Sequence, residues 1–373
     1  MQCDYFDAGL CASCSLIETP YGTQIDLKQE RLAKALASWG ALEWLDPVTS
    51  PEQGFRNKAK MVIAGTVAQP TLGILSPDGI GIDLRECGLH DQRLHDAMPA
   101  LARFVTAARL TPYSVPARKG HLKNIITTVS PDGELMVRFV LRSRELEPGL
   151  RRELPTLLGE LPIAVATVNV QSEHKAILEG DREVILTERE TLPMRVNDIE
   201  LLLRPHSFFQ TNTGVAAALY RHARELVEES SPSTVWDLYC GVGGFGLHVA
   251  GPGRTVVGIE ASDQAIESAR STAQASGIPG TTWFDEDAFA YARSAPRAPD
   301  LVIVNPPRRG IGIQLASWLE RSGVQHVVYS SCNVDSLARD LEAMPSLTPV
   351  SARLLDMFPN TPHHEVLVHL VRS

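Results

Sequence analysis

The sequence lacks the marks of a membrane or secreted protein. No apolar run reaches the roughly 18 residues that a membrane-spanning helix needs, and the N-terminal stretch MQCDYFDAGLCASC has acids where a signal peptide has Lys or Arg. Cysteine is also scarce, with six in 373 residues. We therefore expect a cytoplasmic protein with no membrane partner, whose cysteines serve metal binding or catalysis and not disulfides.

A surplus of positive charge, typical of nucleic-acid-binding proteins, is missing as well. The chain holds 35 Lys and Arg against 44 Asp and Glu, a net charge of −9. Residues 51–150 differ, with 13 Lys or Arg against 10 Asp or Glu, and contain the basic clusters FRNKAK and ARKGHLK. Such clusters are usually solvated faces, but a modest basic groove suffices when RNA is read by shape and flipped bases.

The pattern of apolar residues predicts two lobes. An amphipathic helix is expected around Leu27–Trp39, and short alternating runs then indicate the strands of an α+β lobe: KMVIAG, NIITTVS, LMVRFVLRS and VATVNVQ. After residue 195 the order becomes strand, loop, helix, repeated, which predicts a Rossmann-like α/β domain with a doubly wound, mostly parallel sheet. We place the domains at 1–195 and 196–373.

The first strand of the second lobe runs into a glycine loop, DLYCGVGGFG. Gly241, Gly243 and Gly246 satisfy the GxGxxG pattern. Glu260 ends the next strand, at the position where an acidic residue binds the ribose hydroxyls in dinucleotide-binding folds. A dinucleotide site is therefore one interpretation. Asp237 argues against it, because a carboxylate there would repel a pyrophosphate. S-adenosylmethionine (SAM) has no phosphate and carries two cationic groups, which an acidic pocket favours. The loop therefore predicts a SAM site, with a plain tight turn as the alternative.

Two further strand ends carry polar motifs. In VNPPRRG, the amide residue Asn305 precedes two prolines. Two prolines make a rigid turn that can present the Asn305 side chain to a flat heterocycle, although a purely structural turn is also possible.

In YSSCNVD, Cys332 follows a predicted buried strand. Three roles are open for it: a core residue, a metal ligand or a nucleophile. If the methyl acceptor were carbon 5 of uracil, the reaction would require a nucleophile, because a thiolate added at carbon 6 makes carbon 5 reactive. A base must then remove the C5 proton.

Six motifs occur in order across the C-terminal half: FFQTN, DLYCGVGGFG, GIE, VNPPRRG, SSCN and HHE. This set resembles the RNA uracil-C5 methyltransferases. The resemblance implies SAM contacts at Gln210, Tyr239, Glu260 and Asn305, the nucleophile at Cys332, and the general base at Glu365. Asn305 stands where many members have Asp, and an amide cannot serve a role that requires negative charge. Without the resemblance, a glutamate before an edge strand such as Glu365 would be read as a solvated charge.

Four other cysteines lie in the first lobe. Cys3, Cys11 and Cys14 follow a C-x7-C-x2-C spacing, and Cys87 completes the set. On spacing alone, four thiolates bind zinc or an iron–sulfur cluster. The set resembles the one that holds a [4Fe–4S] cluster in the branch of the family acting on rRNA, which favours iron–sulfur. Since the methylation needs no electrons, a structural role is expected.

The resemblance implies methylation of C5 of a specific uridine, of the 747 type, in 23S rRNA through a covalent Cys–C6 adduct. No protein partner is implied. Phe208 and Phe209 are candidates to stack on the substrate, although such residues are more often core. Three alternatives stay open: another 23S or tRNA uridine, a non-catalytic iron–sulfur RNA-binding protein, and a nicotinamide-dependent oxidoreductase, which Asp237 disfavours.

Overall fold

The computed structural model describes residues 1–40, 42–175 and 177–373. The chain divides into two compact units. Met1–Cys14 and Gln53–Met194 form the N-terminal unit, whereas Ser15–Glu52 and Arg195–Ser373 form the C-terminal unit. Among the described residues, no helix is long and apolar enough to cross a membrane.

The helices and strands are numbered in chain order over the described residues. Helices α1 to α10 are Asp4–Asp7, Tyr21–Ala35, Gln92–Ala107, Glu147–Glu160, Thr213–Ser230, Gly244–Val249, Asp263–Ala275, Ala288–Ser294, Gly312–Ser322 and Val334–Glu342. Short 3-10 helices span Ala37–Trp39 and Arg144–Leu146. Strands β1 to β17 are Glu43–Val48, Lys58–Gly65, Pro70–Leu75, Gly81–Asp83, Leu122–Val129, Leu135–Leu141, Ile163–Val170, Arg182–Ile185, Leu192–Val196, Ile199–Leu203, Thr234–Leu238, Thr255–Glu260, Thr281–Asp285, Leu301–Val304, His326–Ser331, Leu347–Leu355 and Glu365–Arg372.

The N-terminal unit is built on a seven-stranded sheet in the order β4-β3-β2-β5-β6-β7-β8. Neighbouring strands are antiparallel except β6 and β7, which are parallel and joined through α4. Apolar residues of α3 and α4, such as Leu101 and Leu154, pack with Ile63 and Phe139 of the sheet. The four strands predicted from alternating patterns are present as β2, β5, β6 and β7.

The C-terminal unit contains an eight-stranded sheet in the order β1-β16-β17-β15-β14-β11-β12-β13. β11 to β15 are mutually parallel where they pair, and β17 runs antiparallel to both of its neighbours. The chain proceeds from β11 outward through β12 and β13, then returns to β14 on the other side of β11. This reversal between β11 and β14 is a topological switch point, where ligands of doubly wound sheets bind. The predicted doubly wound, mostly parallel sheet is therefore confirmed.

Residues 15–52 belong to the C-terminal unit and not to the predicted 1–195 region. β1 adds a parallel edge strand to β16, and Leu32 and Leu36 of the α2 region are buried in the same core as Val302 and Leu337. The prediction of one continuous N-terminal region was wrong for this segment. Its amphipathic pattern shows that an apolar face is buried, but not which sheet buries it.

Candidate active site

A cavity of about 620 Å³ opens at the carboxyl ends of the parallel strands in the C-terminal unit and is called the large cavity below. Tyr239 follows β11, Asn305 follows β14 and Cys332 follows β15, so the switch point gathers them. All six residues assigned by resemblance to SAM contact or catalysis line it, namely Gln210, Tyr239, Glu260, Asn305, Cys332 and Glu365. Strands distant in sequence thus bring these side chains into one cavity.

The glycine loop between β11 and α6 leaves no room for a side chain at Gly243, because neighbouring side chains pack against the loop backbone there. Gly243 has φ +81°, and a Cβ there would lie 2.8 Å from the Trp283 ring. Tyr239 also has positive φ, +62°, although it is not glycine. Such a backbone costs about 1–3 kcal/mol and often marks a functional position. Here the strained residue is one that lines the large cavity.

Asp237 does not act as the sequence predicted. Its side chain is fully buried in β11, and Oδ2 accepts a 2.7 Å hydrogen bond from the Gly246 backbone N–H, so it braces the glycine loop. Burial raises its pKa to about 7, against that hydrogen bond, with a smaller contribution from the charge of Glu260. The acid that lines the large cavity is instead Glu260, which accepts hydrogen bonds from the backbone N–H groups of Gly241 and Ser262.

Cys332 is half-buried and lines the large cavity, so it is not a core residue. Burial raises the pKa of its thiol, and so does the charge of Glu365. Arg308 opposes this increase through its charge and a side-chain hydrogen bond. Arg308 is thus the neighbour that favours the ionised form of this thiol.

The pairing of β15 with β17 places Glu365 beside Cys332. These strands are antiparallel and their pairing ends with Ser331 opposite Val366. Cys332 directly follows Ser331, and Glu365 directly precedes Val366, so the two residues lie at the same end of the paired strands. Glu365 is only 3 % exposed and accepts a 2.5 Å hydrogen bond from the Ser330 hydroxyl. Burial raises its pKa to about 7, and the Ser330 hydrogen bond lowers it.

The structure corrects the default reading of Glu365 as a solvated charge before an edge strand. β17 lies between β15 and β16, so the first residue of this strand is enclosed by neighbours on both sides. A carboxyl group whose pKa lies near neutrality can accept or release a proton under physiological conditions. The position of Glu365 and its protonation therefore both suit an acid–base role.

Sequence reasoning missed two supporting side chains. Arg308 belongs to the VNPPRRG motif, and its role becomes visible only through its interaction with Cys332. Ser330 belongs to the YSSCNVD motif, and its role becomes visible only through its hydrogen bond to Glu365. The two phenylalanines of FFQTN differ. Phe208 is 65 % exposed at the large cavity, whereas Phe209 is 4 % exposed. Phe208 is thus available to stack on a base, and Phe209 is mostly core.

The cysteines of the N-terminal unit meet in a second place. Cys3, Cys11, Cys14 and Cys87 line a cavity of about 130 Å³, called the cysteine cavity, together with Arg56 and Lys60. Burial raises the pKa of the Cys14 thiol to about 11, with further contributions from the other three cysteines. The six cysteines, all among the described residues, are free thiols. Within those residues no group of three or more His, Cys, Asp or Glu side chains converges closely enough for a metal ion.

Two family models match the C-terminal unit. One, described as methyltransferase small domain, matches residues 215–318, and the other, described as tRNA (uracil-5-)-methyltransferase, matches residues 297–373. The first covers the glycine loop and Asn305, and the second covers Asn305, Cys332 and Glu365. A doubly wound sheet with a glycine loop and a cavity at its switch point, matched in this way, defines a Rossmann-like methyltransferase.

Relatives match along the whole chain. The 23S rRNA (uracil(747)-C(5))-methyltransferase RlmC of Cronobacter sakazakii is 47% identical over 100% of both chains, and that of Halothiobacillus neapolitanus is 48% identical, also over 100% of both. The crystal structure of Pyrococcus abyssi tRNA (uracil-54, C5)-methyltransferase in complex with S-adenosyl-L-homocysteine has a TM-score of 0.81 and 27% identity, over 96% of this chain and 85% of that one. The chain therefore belongs to the RNA uracil-C5 methyltransferase family.

Proposed function

We propose that this protein transfers a methyl group from SAM to carbon 5 of one uridine in 23S rRNA, of the 747 type named for its relatives. The observation that carries the proposal is that Cys332, which follows β15, and Glu365, the first residue of β17, line the same large cavity. Full-length relatives at 45–48% identity support the rRNA substrate over tRNA. An rRNA substrate would place the reaction in the cytoplasm.

Cys332 is proposed to begin the reaction. Its thiolate adds to C6 of uracil, forming a C–S bond and moving the ring electrons to an enolate that makes C5 nucleophilic. Arg308 supports this step, because its positive charge stabilises the thiolate. The uridine must leave its stack to reach Cys332, at a cost of a few kcal/mol. Phe208, exposed at the large cavity, is positioned to stack on a displaced base.

SAM, when bound, would supply an electrophilic methyl group to C5, with its sulfur–methyl bond broken and S-adenosyl-L-homocysteine as the leaving group. Gln210, Tyr239, Glu260 and Asn305 are proposed to hold it, since all four line the large cavity. The Glu260 carboxylate lies at the end of β12 and is fixed by two backbone N–H groups, which suits the hydroxyls of a ribose. Asn305 offers a neutral amide from the end of β14, able to donate and accept hydrogen bonds.

Glu365 is proposed to complete the reaction. After methylation, C5 carries both the methyl group and its original proton, and the Glu365 carboxylate removes that proton. The electron pair re-forms the C5–C6 double bond and the C6–S bond breaks, so that Cys332 leaves as thiolate. Ser330 holds the carboxylate through its 2.5 Å hydrogen bond and thereby orients the base toward the reacting ring.

The cysteine cavity is proposed to hold a [4Fe–4S] cluster on Cys3, Cys11, Cys14 and Cys87. The fit rests on four free thiols lining one cavity with two cations, Arg56 and Lys60, and no carboxylate among the described lining residues. Cations suit a cluster whose four thiolates leave it negatively charged overall. The cluster would fasten the first 14 residues to the α+β unit, and this unit is proposed to contact RNA through its basic clusters.

The test is transfer of labelled methyl from SAM into unmodified 23S rRNA and tRNA transcripts, with the labelled nucleotide mapped. We expect label at C5 of one 23S uridine, and none in a transcript carrying cytidine at that position. Label in tRNA alone would retain the chemistry and overturn the substrate. No label in either RNA, from protein that contains its iron, would overturn the proposed function.

A further inference from the structure

A smaller cavity adjoins the proposed nucleophile in the C-terminal unit. It has a volume of about 210 Å³ and is called the small cavity here. Besides Cys332, its main lining residues are Arg31, Arg308, Asn333, Pro362, His363 and His364. Cys332 and Arg308 also line the large cavity. Cys332 therefore lines two cavities, and the proposed function uses only the large one.

The connectivity of uridine indicates what the small cavity is for. C6 of uracil is bonded to C5 on one side and to N1 on the other, and N1 carries the ribose. When Cys332 bonds to C6 and C5 faces the methyl donor in the large cavity, the ribose and its phosphates must leave from the opposite side of C6. Cys332 lines the small cavity as well as the large one, which makes the small cavity the candidate to receive that part of the nucleotide.

The small cavity is electrically suited to a phosphate. Arg31 and Arg308 line it, and among its described lining residues there is no Asp or Glu. Arg31, on α2, pairs with Asp335 at 3.0 Å, but both side chains are more than half exposed. An exposed ion pair adds little stability, so Arg31 can exchange this partner for a phosphate. The pKa of His363 is lowered by burial and further by the positive charges of Arg308, Lys28 and Arg31.

His364 adds a second, independent observation. Its side chain is 3 % exposed, Nδ1 lies 3.2 Å from the Pro362 carbonyl oxygen, and Nε2 is buried without a hydrogen-bond partner among the described residues. Burial lowers its pKa to about 4, so the ring is neutral. With the Nδ1 proton donated to Pro362, Nε2 is an acceptor that lacks a donor. A ribose hydroxyl supplies such a donor, whereas an ionised phosphate does not.

Building on the proposed function, we infer that the small cavity binds the ribose and an adjoining phosphate of the target nucleotide. Arg31 and Arg308 contact the phosphate, and His364 Nε2 accepts a hydrogen bond from the ribose 2′-hydroxyl. This contact makes the site selective for RNA over DNA, because the 2′-hydroxyl is the group that distinguishes them. Arg31 reaches the site from residues 15–52, which gives that segment a role in substrate binding.

The hydroxyl contact is tested first from the substrate side. A 23S fragment with 2′-deoxyuridine at the target position should be methylated by the native protein with kcat/KM lower by about threefold to tenfold, the scale of one neutral hydrogen bond. His364→Phe should be slower on the all-RNA fragment and should lose the difference between the two fragments. Equal rates of the native protein on both fragments, or an undiminished difference in His364→Phe, would overturn the hydroxyl contact.

The phosphate contact is tested with a matched pair of arginines. Arg31→Gln should raise KM for the fragment by about tenfold with kcat nearly unchanged, and should reduce the salt dependence of binding by about one phosphate contact. Arg321→Gln, which removes an exposed arginine at the end of α9, is the control. Asp335→Asn should lower KM, because it releases Arg31. Equal KM values for the Arg31 and Arg321 variants would overturn the contact.

The outcomes separate the two proposals. The native protein could label C5 of the fragment while it methylates the ribo and deoxy fragments equally and the Arg31 and Arg321 variants have equal KM values. In that case the small cavity has no substrate role and the proposed function stands. If the native protein labels neither fragment, although it binds SAM in a calorimeter, the proposed function fails and this inference fails with it.

Discussion

The cysteines of the large cavity and those of the cysteine cavity have very different neighbours. In the large cavity, Cys332 is accompanied by a buried carboxyl group, Glu365, and by the guanidinium of Arg308. In the cysteine cavity of the N-terminal unit, four cysteines line the wall together with two cations. One thiol with an acid–base partner suits a reaction in which a bond to sulfur forms and breaks. Four thiols together suit a ligand that all of them hold.

The difference also appears in the titration of the thiols. Burial, and after it the charges of Cys87, Cys11 and Cys3, raise the pKa of the Cys14 thiol to about 11. The pKa of Cys332 is raised by burial and by Glu365, but Arg308 acts in the opposite direction. The chemistry of a cysteine in this protein thus depends on its neighbours, and the following experiments separate the two settings.

The largest effect is expected for Cys332→Ala. Turnover should fall by more than about 10⁴-fold, the scale on which loss of a nucleophile acts in covalent enzymes, while SAM binding and iron content stay unchanged. Cys240→Ala removes another thiol that lines the large cavity and should retain turnover, because Cys240 has no step in the reaction. Methyl transfer by Cys332→Ala at the native rate would exclude the covalent mechanism.

Glu365→Gln should also abolish turnover, but at a later step. The amide keeps an acceptor for the Ser330 hydroxyl yet cannot take the C5 proton, so methylated RNA should remain bonded to Cys332. The adduct is measured as labelled RNA that migrates with the protein in a denaturing gel. The double variant Cys332→Ala, Glu365→Gln should form none, and lack of an adduct in the single variant would mean that the base lies elsewhere.

A pH series should produce an intermediate effect. The pKa of Glu365 is raised from 4.5 to about 7, and the base must be ionised, so the rate of adduct breakdown should fall about tenfold per unit as pH drops below about 7. Ser330→Ala removes a hydrogen bond that lowers this pKa, and should move the midpoint to higher pH. Single-turnover release of methylated RNA measures the rate. A rate that stays constant down to pH 5 would contradict the assignment.

The smallest effect on the methylation chemistry is expected for Cys87→Ser. Loss of one of four proposed ligands should remove the iron and its visible absorbance and lower the temperature at which the N-terminal unit unfolds. SAM binding, which uses the large cavity, should keep its affinity in calorimetry. Cys240→Ser serves as the control and should retain the iron. A Cys87→Ser protein with full iron content would show that Cys87 is not a ligand.

Much of the fold was predictable because secondary structure follows local patterns. β11 to β15 and the helices between them are present where apolar runs and glycines predicted them. The segment 15–52 was assigned wrongly, and Asp237 was expected at the ligand although it braces the glycine loop. Both errors concern what a residue packs against, which depends on contacts distant in sequence.

The sequence by itself determined the succession of strands and helices along the chain, the glycine loop and the residues that match the family. These features depend on residue type and on spacing along the chain. Only the tertiary structure decided that Cys332 and Glu365 line one cavity, since that follows from the antiparallel pairing of β15 with β17. It also decided the burial that brings the pKa of Glu365 near neutrality. Likewise, Arg31 comes to line a cavity with Cys332 only because α2 packs in the C-terminal unit.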